Sequence, residues 1–137
     1  MAFDPRNDYP LGACRPDIVR TPGGLPLADV TLDAVRAGTI ALDEIRATSV
    51  TLSLQAEVAR AAGRSQLGAN LDRAAELANV PDDLLLEVYT ALRPRRATAD
   101  ELAAWATQLE GFAAVKTAAF VREAAAVYAE RGLLADA

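Results

Sequence analysis

Apolar residues recur at helical spacing through most of the chain after residue 48, and this pattern constrains the fold more than any other feature. One series repeats every four residues: Val50, Leu54, Val58 and Ala62. Another follows steps of four, three and four: Leu67, Leu71, Ala74 and Ala78. Both spacings place apolar side chains on one face of an α-helix. No strand-like alternation is longer than Thr51–Leu54, so the sequence predicts an all-α fold.

Capping and helix-breaking residues predict where the earlier helices begin and end. We expect two short helices, one capped by Thr31 and ended by Gly38, and one around Ala41–Arg46. Gly63 interrupts residues 49–79, which predicts a longer helix on either side of it.

The C-terminal third carries the clearest helix boundaries. Thr98 and Glu101 have the spacing of a capping box, in which each side chain accepts a hydrogen bond from the other residue's backbone N–H. The helix that follows is predicted to end at Gly111. The last helix is predicted from about Ala113 to Arg131, and its two adjacent apolar stripes indicate packing on two sides.

Residues 80–96, VPDDLLLEVYTALRPRR, read as one amphipathic helix that is acidic at its start and basic at its end. Pro81 suits the first helical turn, and Pro94 disfavours helix at Arg93. Asp82 and Asp83 lie where the helix dipole favours negative charge. The predicted apolar face comprises Leu85, Val88, Tyr89 and Leu92, widened by Leu84 and Leu86.

Residues 1–30 differ from the rest because they contain five of the seven prolines. Proline removes backbone donors, so regular structure is not expected there, yet the segment is too apolar for a disordered tail. The sequence therefore predicts an extended N-terminal arm over residues 1–30, lying on its own core or on a partner. Residues 31–137 are predicted to form a single helical domain of short and medium helices.

Composition narrows the functional classes. The formal net charge of −5 argues against nucleic acid and against an anionic membrane surface. No apolar run approaches the ~20 residues that span a bilayer, and the first residues lack the apolar core of a signal peptide. Cys14 is the only cysteine, so it cannot form an internal disulfide. We expect a cytoplasmic protein that binds neither nucleic acid nor membrane.

Catalytic side chains are scarce. The chain has no histidine, which excludes a Ser-His-Asp or Cys-His site and the usual zinc sites. The pairs Asp82–Asp83 and Asp100–Glu101 fall in first helical turns, where the helix dipole accounts for them. Four further carboxylates remain an alternative as metal ligands on facing helices: Glu57, Asp72, Glu76 and Glu123. We expect no catalytic, cofactor-binding or metal-binding residue in this chain.

The surplus of apolar helix surface instead predicts an interaction subunit. The arginines after the central helix have two interpretations, a phosphate site or, more in keeping with an acidic chain, helix capping and interfacial ion pairs. Aromatic residues at core spacing also serve as interface anchors. The predicted subunit interface comprises Tyr9, Leu11, Leu85, Tyr89, Arg93, Arg96, Trp105, Phe120 and Tyr128.

Five stretches in register resemble the small subunit of adenosylcobalamin-dependent diol/glycerol dehydratases. The first two are DYPL at residues 8–11 and TLDAV at residues 31–35. The third combines AGR at residues 62–64 with Asn70 and RAAEL from residue 73. The VPDDLLLEVYTALRPRR segment and AAFVREAA at residues 118–125, with Tyr128, complete the set.

The resemblance implies a helical subunit of a dimer of heterotrimers built from large, medium and small subunits. The assembled enzyme would convert 1,2-diols or glycerol to an aldehyde plus water by a radical route that begins with Co–C homolysis in adenosylcobalamin. Substrate would lie in the large subunit and cobalamin between the large and medium subunits. The small subunit would supply no catalytic residue, bind no cofactor alone, and pack on the large subunit.

The chain departs from the family pattern at several positions: Thr90 for Asn, Ala97 for Ser, Leu71 for Phe, and Arg95 for a common aromatic. Only seven residues precede Asp8, whereas some microcompartment-associated members have a longer extension. Association with a bacterial microcompartment is therefore left open. Two other functions also stay open, a stand-alone helical adaptor without enzyme activity and a small metal-dependent hydrolase.

Overall fold

The computed structural model describes residues 2–136, and within them it has seven α-helices and no β-strand. The all-α prediction is confirmed. Two short 3-10 turns and one isolated bridge between Arg20 and Pro26 complete the regular structure of this range. The helices are α1 (Leu11–Cys14), α2 (Leu32–Arg36), α3 (Ser49–Ala61), α4 (Ser65–Leu77), α5 (Asp82–Ala91), α6 (Ala99–Glu110) and α7 (Val115–Arg131).

The chain divides into two compact units, one ending at Ala78 and the other beginning at Asn79. The first unit contains α1–α4, and the second contains α5–α7. This division does not coincide with the predicted boundary after residue 30, which stays a prediction. None of the helices in residues 2–136 is both long and apolar enough to span a membrane.

Polar side chains hold the first part of the first unit in place. Arg15 donates from Nη1 to Asp8 Oδ2 at 2.9 Å and from Nε to Asp17 Oδ1 at 3.0 Å. The Arg15 hydrogen bond lowers the pKa of Asp17, and the positive charge of Arg15 adds to that effect. The Glu44 carboxylate accepts hydrogen bonds from the Thr21 hydroxyl and from the Gly23 backbone N–H.

Both short helices predicted after residue 30 are present, and they differ in type. Thr31 caps α2, since its hydroxyl accepts a hydrogen bond from the Ala34 N–H at 3.1 Å. Gly38 follows with φ of +70°, the left-handed conformation that glycine adopts readily. The second element is a 3-10 turn over Leu42–Ile45 rather than an α-helix. Backbone i→i+3 hydrogen bonds run from the Glu44 N–H to the Ala41 carbonyl and from the Arg46 N–H to the Asp43 carbonyl, a pattern that suits short connecting turns.

α3 and α4 form a helical hairpin whose buried residues are small. Ala56, Ala59, Gly68 and Ala75 are the buried residues of the two helices. A Cβ added to Gly68 would lie 2.8 Å from Arg60 Cγ and 3.2 Å from the Ala56 backbone oxygen. The backbones of α3 and α4 therefore approach closely at this point. The predicted break at Gly63 is confirmed, with φ of +75°.

α6 and α7 form a second hairpin with larger residues in its core. Leu102, Leu109 and Val121 are fully buried. The capping box of Thr98 and Glu101 is present in both directions, with hydrogen bonds of 3.2 and 2.8 Å. Both predicted ends are confirmed, since α6 stops before Gly111 and α7 stops before Gly132.

Candidate interaction surface

α5 buries only part of its wide apolar face. Pro81 immediately precedes the helix, Asp82 and Asp83 occupy its first turn, and Leu92 closes it. Val88 is buried, and Leu84, Leu85 and Leu92 are half-buried. Leu86 and Tyr89 are instead 68% and 59% exposed. The predicted face is therefore split, with Tyr89 turned to solvent although its neighbour Val88 is in the core.

An open groove lies beside the exposed side of α5, with a volume of about 480 Å³. We call it the α5 groove. The helix supplies Leu86, and α6 supplies Trp105. Charged groups also line it, since Arg96 and Glu87 lie in its wall. Its full lining is Leu86, Glu87, Thr90, Ala91, Arg96, Ala97, Glu101 and Trp105.

The arginine loop, residues 93–96, follows α5 and is held by the C-terminal part of the chain. The Tyr128 hydroxyl donates to the Leu92 carbonyl at 2.5 Å. The Arg95 N–H donates to the Leu133 carbonyl at 2.7 Å, and the Ala135 N–H donates to the Ala97 carbonyl at 2.9 Å. The loop backbone is thus fixed at both of its ends and near its middle.

Arg95 has an uncommon backbone conformation within this loop, with φ of 62°. A non-glycine residue in the left-handed region costs free energy and persists only where its surroundings determine it. Here the hydrogen bond from the Arg95 N–H to the Leu133 carbonyl holds the residue in this conformation. All three arginine side chains of the loop are exposed.

The remaining residues of the predicted interface lie in different environments. Tyr9 is 61% exposed and lines a groove of the first unit with Val58, Leu67 and Leu71. Leu11 is buried, so in this chain it contributes to the interior. Phe120 is exposed on α7, whereas Trp105 and Tyr128 are half-buried.

The structure brings four of the nine predicted interface residues to one region. Trp105 and Arg96 line the α5 groove, Arg93 belongs to the adjoining loop, and Tyr128 fixes that loop. Leu86 was predicted on the apolar face of the helix but not among the nine interface residues, and the C-terminal residues that pair with the loop were not predicted. No sequence signal marks that pairing, because Leu133 and Ala135 lie far along the chain from it.

No group of three or more His, Cys, Asp or Glu side chains converges anywhere in residues 2–136. Asp72 forms an ion pair with Arg60, and Glu101 serves in the capping box. Cys14 is exposed and free. The grooves described here are open and lined mostly by apolar surface.

The chain matches known proteins along most of its length. A family model described as dehydratase small subunit matches residues 5–135. A propanediol dehydratase small subunit from Citrobacter freundii is 51% identical over 125 residues, covering 90% of this chain and 73% of that protein. A propanediol dehydratase small subunit from Salmonella typhimurium strain LT2 is 48% identical over 126 residues, covering 91% and 73%.

These matches define the chain as a subunit of a dehydratase complex. The match over nearly all described residues makes the assignment specific: the chain belongs to the dehydratase small-subunit family. The resemblance drawn from the sequence is thereby confirmed.

Proposed function

We propose that this chain is the small subunit of an adenosylcobalamin-dependent diol/glycerol dehydratase. In this proposal the assembled enzyme dehydrates a 1,2-diol or glycerol to an aldehyde plus water. The observation that carries it is the identity of about half over nine tenths of the chain with small subunits named for propanediol dehydratase. The partners are a large and a medium subunit, arranged as a dimer of heterotrimers.

The proposed role of the chain is structural. Its exposed apolar side chains on α5 and α7, among them Leu86, Tyr89 and Phe120, supply surface that a large subunit can cover. Burial of such side chains stabilises an assembly by roughly 25 cal/mol per Å² of apolar area removed from water. Cofactor and substrate would then bind on the other subunits, which this chain helps to hold in shape.

A pull-down of the tagged full chain from its native host tests the proposal. We expect recovery of a large and a medium subunit, identified by mass, and dehydration of 1,2-propanediol or glycerol that requires added adenosylcobalamin. Recovery of the chain alone, folded and monodisperse, would contradict the proposal and favour the stand-alone adaptor.

The absence of a catalytic role for this chain is tested through its only thiol. The complex carrying Cys14→Ser should assemble and keep its activity, since Cys14 is a free, exposed thiol at the end of α1. A variant complex that assembles but has lost dehydration would show that the small subunit takes part in the reaction.

A further inference from the structure

We propose that the arginine loop and the α5 groove together bind an acidic, amphipathic segment of another dehydratase subunit. Carboxylates of that segment would pair with Arg93, Arg95 and Arg96, and an apolar side chain would enter the groove beside Leu86 and Trp105. This inference rests on the proposed function, because it requires a partner subunit.

The charge distribution of the second unit is the first support. From residue 79 onward the sequence has six basic residues against nine acidic ones, and three of the six basic residues lie within residues 93–96. The loop is therefore a local positive cluster on an otherwise acidic unit. Complementary charge orients a partner and suppresses wrong encounters, so such a cluster favours a partner surface rich in carboxylates.

The availability of these charges is the second support. Arg60 and Arg122 each pair with a carboxylate of the chain, and Arg15 pairs with two. Across residues 2–136, by contrast, the guanidinium groups of the arginine loop form no such pair. Guanidinium groups present their donors in a planar fork that matches a carboxylate in two-point contacts, which makes arginine the cation suited to this recognition.

The fixed backbone of the loop is the third support. The Tyr128 hydroxyl holds the carbonyl of residue 92, and the Ala135 N–H holds the carbonyl of residue 97. Between them, the N–H of residue 95 donates to the Leu133 carbonyl. A loop that is already ordered loses little further conformational freedom on binding, so more of the contact energy appears as affinity. The left-handed Arg95 indicates that the fold maintains this loop geometry at a cost.

The charged residues of the groove predict how the partner segment is oriented. Glu101 already accepts a hydrogen bond from the Thr98 N–H, so its carboxylate is engaged. Glu87 lies in the groove wall and would repel a carboxylate placed against it. The partner's acidic end should therefore meet the arginine loop, and an apolar or neutral part should lie along Leu86 and Trp105. A uniformly charged polyanion fits this pattern poorly.

Charge reversal in the full complex tests the inference. R93E/R96E should weaken binding of the full-length chain to co-purified large and medium subunits by at least about tenfold, with a smaller salt dependence than the wild type. R36E/R131E makes the same change in net charge at exposed positions in the last turns of α2 and α7. This control should bind within about twofold of the wild type.

The results of this binding experiment distinguish failure of the inference from failure of the proposed function. If the wild-type chain does not bind the other subunits at all, the proposed function fails. If the wild type binds, and R93E/R96E is folded by circular dichroism yet binds equally well, the inference fails while the proposed function stands. Equal weakening by R36E/R131E would also overturn the inference, because the effect would then follow net charge alone.

A cross-linking measurement keeps the inference testable if R93E/R96E fails to fold. A photoreactive amino acid at Thr90, an exposed residue in the groove lining, should cross-link within the assembled complex to a segment of another subunit that contains carboxylates. The same group at Arg36 serves as the control and should not label that segment. Cross-links from position 90 to a second copy of this chain, or to a segment without carboxylates, would overturn the inference.

Discussion

The two helical hairpins, α3–α4 and α6–α7, have the same architecture but different interiors. Small residues fill the first, where Gly68 allows the backbone of α4 to approach Ala56 of α3. Large side chains fill the second, where Leu102, Leu109 and Val121 are fully buried. The first hairpin therefore gains from close backbone approach, and the second gains from the apolar area removed from water.

An ion pair joins the two helices of each hairpin at residues twelve positions apart. Arg60 pairs with Asp72 across α3–α4, and Arg122 pairs with Glu110 across α6–α7 with N–O distances of 2.6 and 3.0 Å. Since both hairpins have such an ion pair, it does not account for the difference between their interiors. The difference lies in residue size, so the two hairpins should respond in opposite ways to larger and smaller side chains.

The largest expected effect is from shortening a core residue of the second hairpin. Leu102→Ala should lower the free energy of unfolding by about 2–5 kcal/mol, because it removes buried apolar area and leaves a cavity. Urea unfolding of the full chain measures this, and hydrogen exchange should localise the loss to α6 and α7. Leu86→Ala, at an exposed position, should change stability by only about 0.5 kcal/mol. Similar losses for both would contradict the assigned burial.

Enlarging the contact of the first hairpin comes next. Gly68→Val should destabilise the chain by about 1–3 kcal/mol, because the added carbons would press on Arg60 and on the Ala56 backbone. Gln66→Val, at an exposed position of the same helix, adds no such contact and should lose only roughly 0.5 kcal/mol through its lower helix propensity. If the two variants unfold at the same urea concentration, α3 and α4 do not approach closely at Gly68.

A smaller effect is expected at the hydrogen bond that fixes the arginine loop. Tyr128→Phe removes the donor to the Leu92 carbonyl and should cost about 1 kcal/mol. It should also speed amide exchange at Arg95, whose N–H bonds to the C-terminal segment. Tyr89→Phe alters an exposed hydroxyl and should leave both measurements unchanged. Unaltered exchange at Arg95 in Tyr128→Phe would show that the loop is held without this bond.

The smallest expected effect is the acid response of the second ion pair. Hydrogen bonds from Arg122 lower the pKa of Glu110, and the positive charge adds to that shift. Because the folded-state pKa is below the unfolded one, this pair stabilises the fold above the unfolded pKa. That contribution is lost as pH falls through the folded-state pKa.

Thermal unfolding of Arg122→Gln and the wild type between pH 7 and about pH 3 measures this contribution. The variant should melt slightly lower at pH 7, and the difference should become smaller as the pH falls. A difference in melting temperature that grows on acidification would contradict the assigned pairing.

Most of the correct predictions about the fold came from residues close together in the sequence. The caps at Thr31 and Thr98, the break at Gly63 and the ends at Gly111 and Gly132 each depend on residues within a few positions of one another. The short helix predicted around Ala41–Arg46 is present as a 3-10 helix over Leu42–Ile45. The segment is too short for its apolar pattern to distinguish an α-helix from a 3-10 helix.

The candidate surface was predicted only in part. Its residue types were recognisable, since aromatic and arginine side chains on an apolar helix indicate an interface. The sequence did not predict which of these residues lie together. Tyr9 and Trp105 belong to different units, whereas Arg96 and Trp105 line one groove. Leu11 was assigned to the same interface, and its burial places it in the interior of this chain. The interface itself stays a prediction.

The sequence by itself determined that this chain is helical, where most helices begin and end, and that it belongs to the dehydratase small-subunit family. Those properties follow from backbone hydrogen bonds and caps between near neighbours, and from residue identity. Only the tertiary structure decided that α5 buries Val88 and exposes Tyr89, and that Tyr128 fixes a loop thirty-six residues earlier. A helix with apolar residues over a wide arc has several faces to bury, and contacts with distant residues select among them.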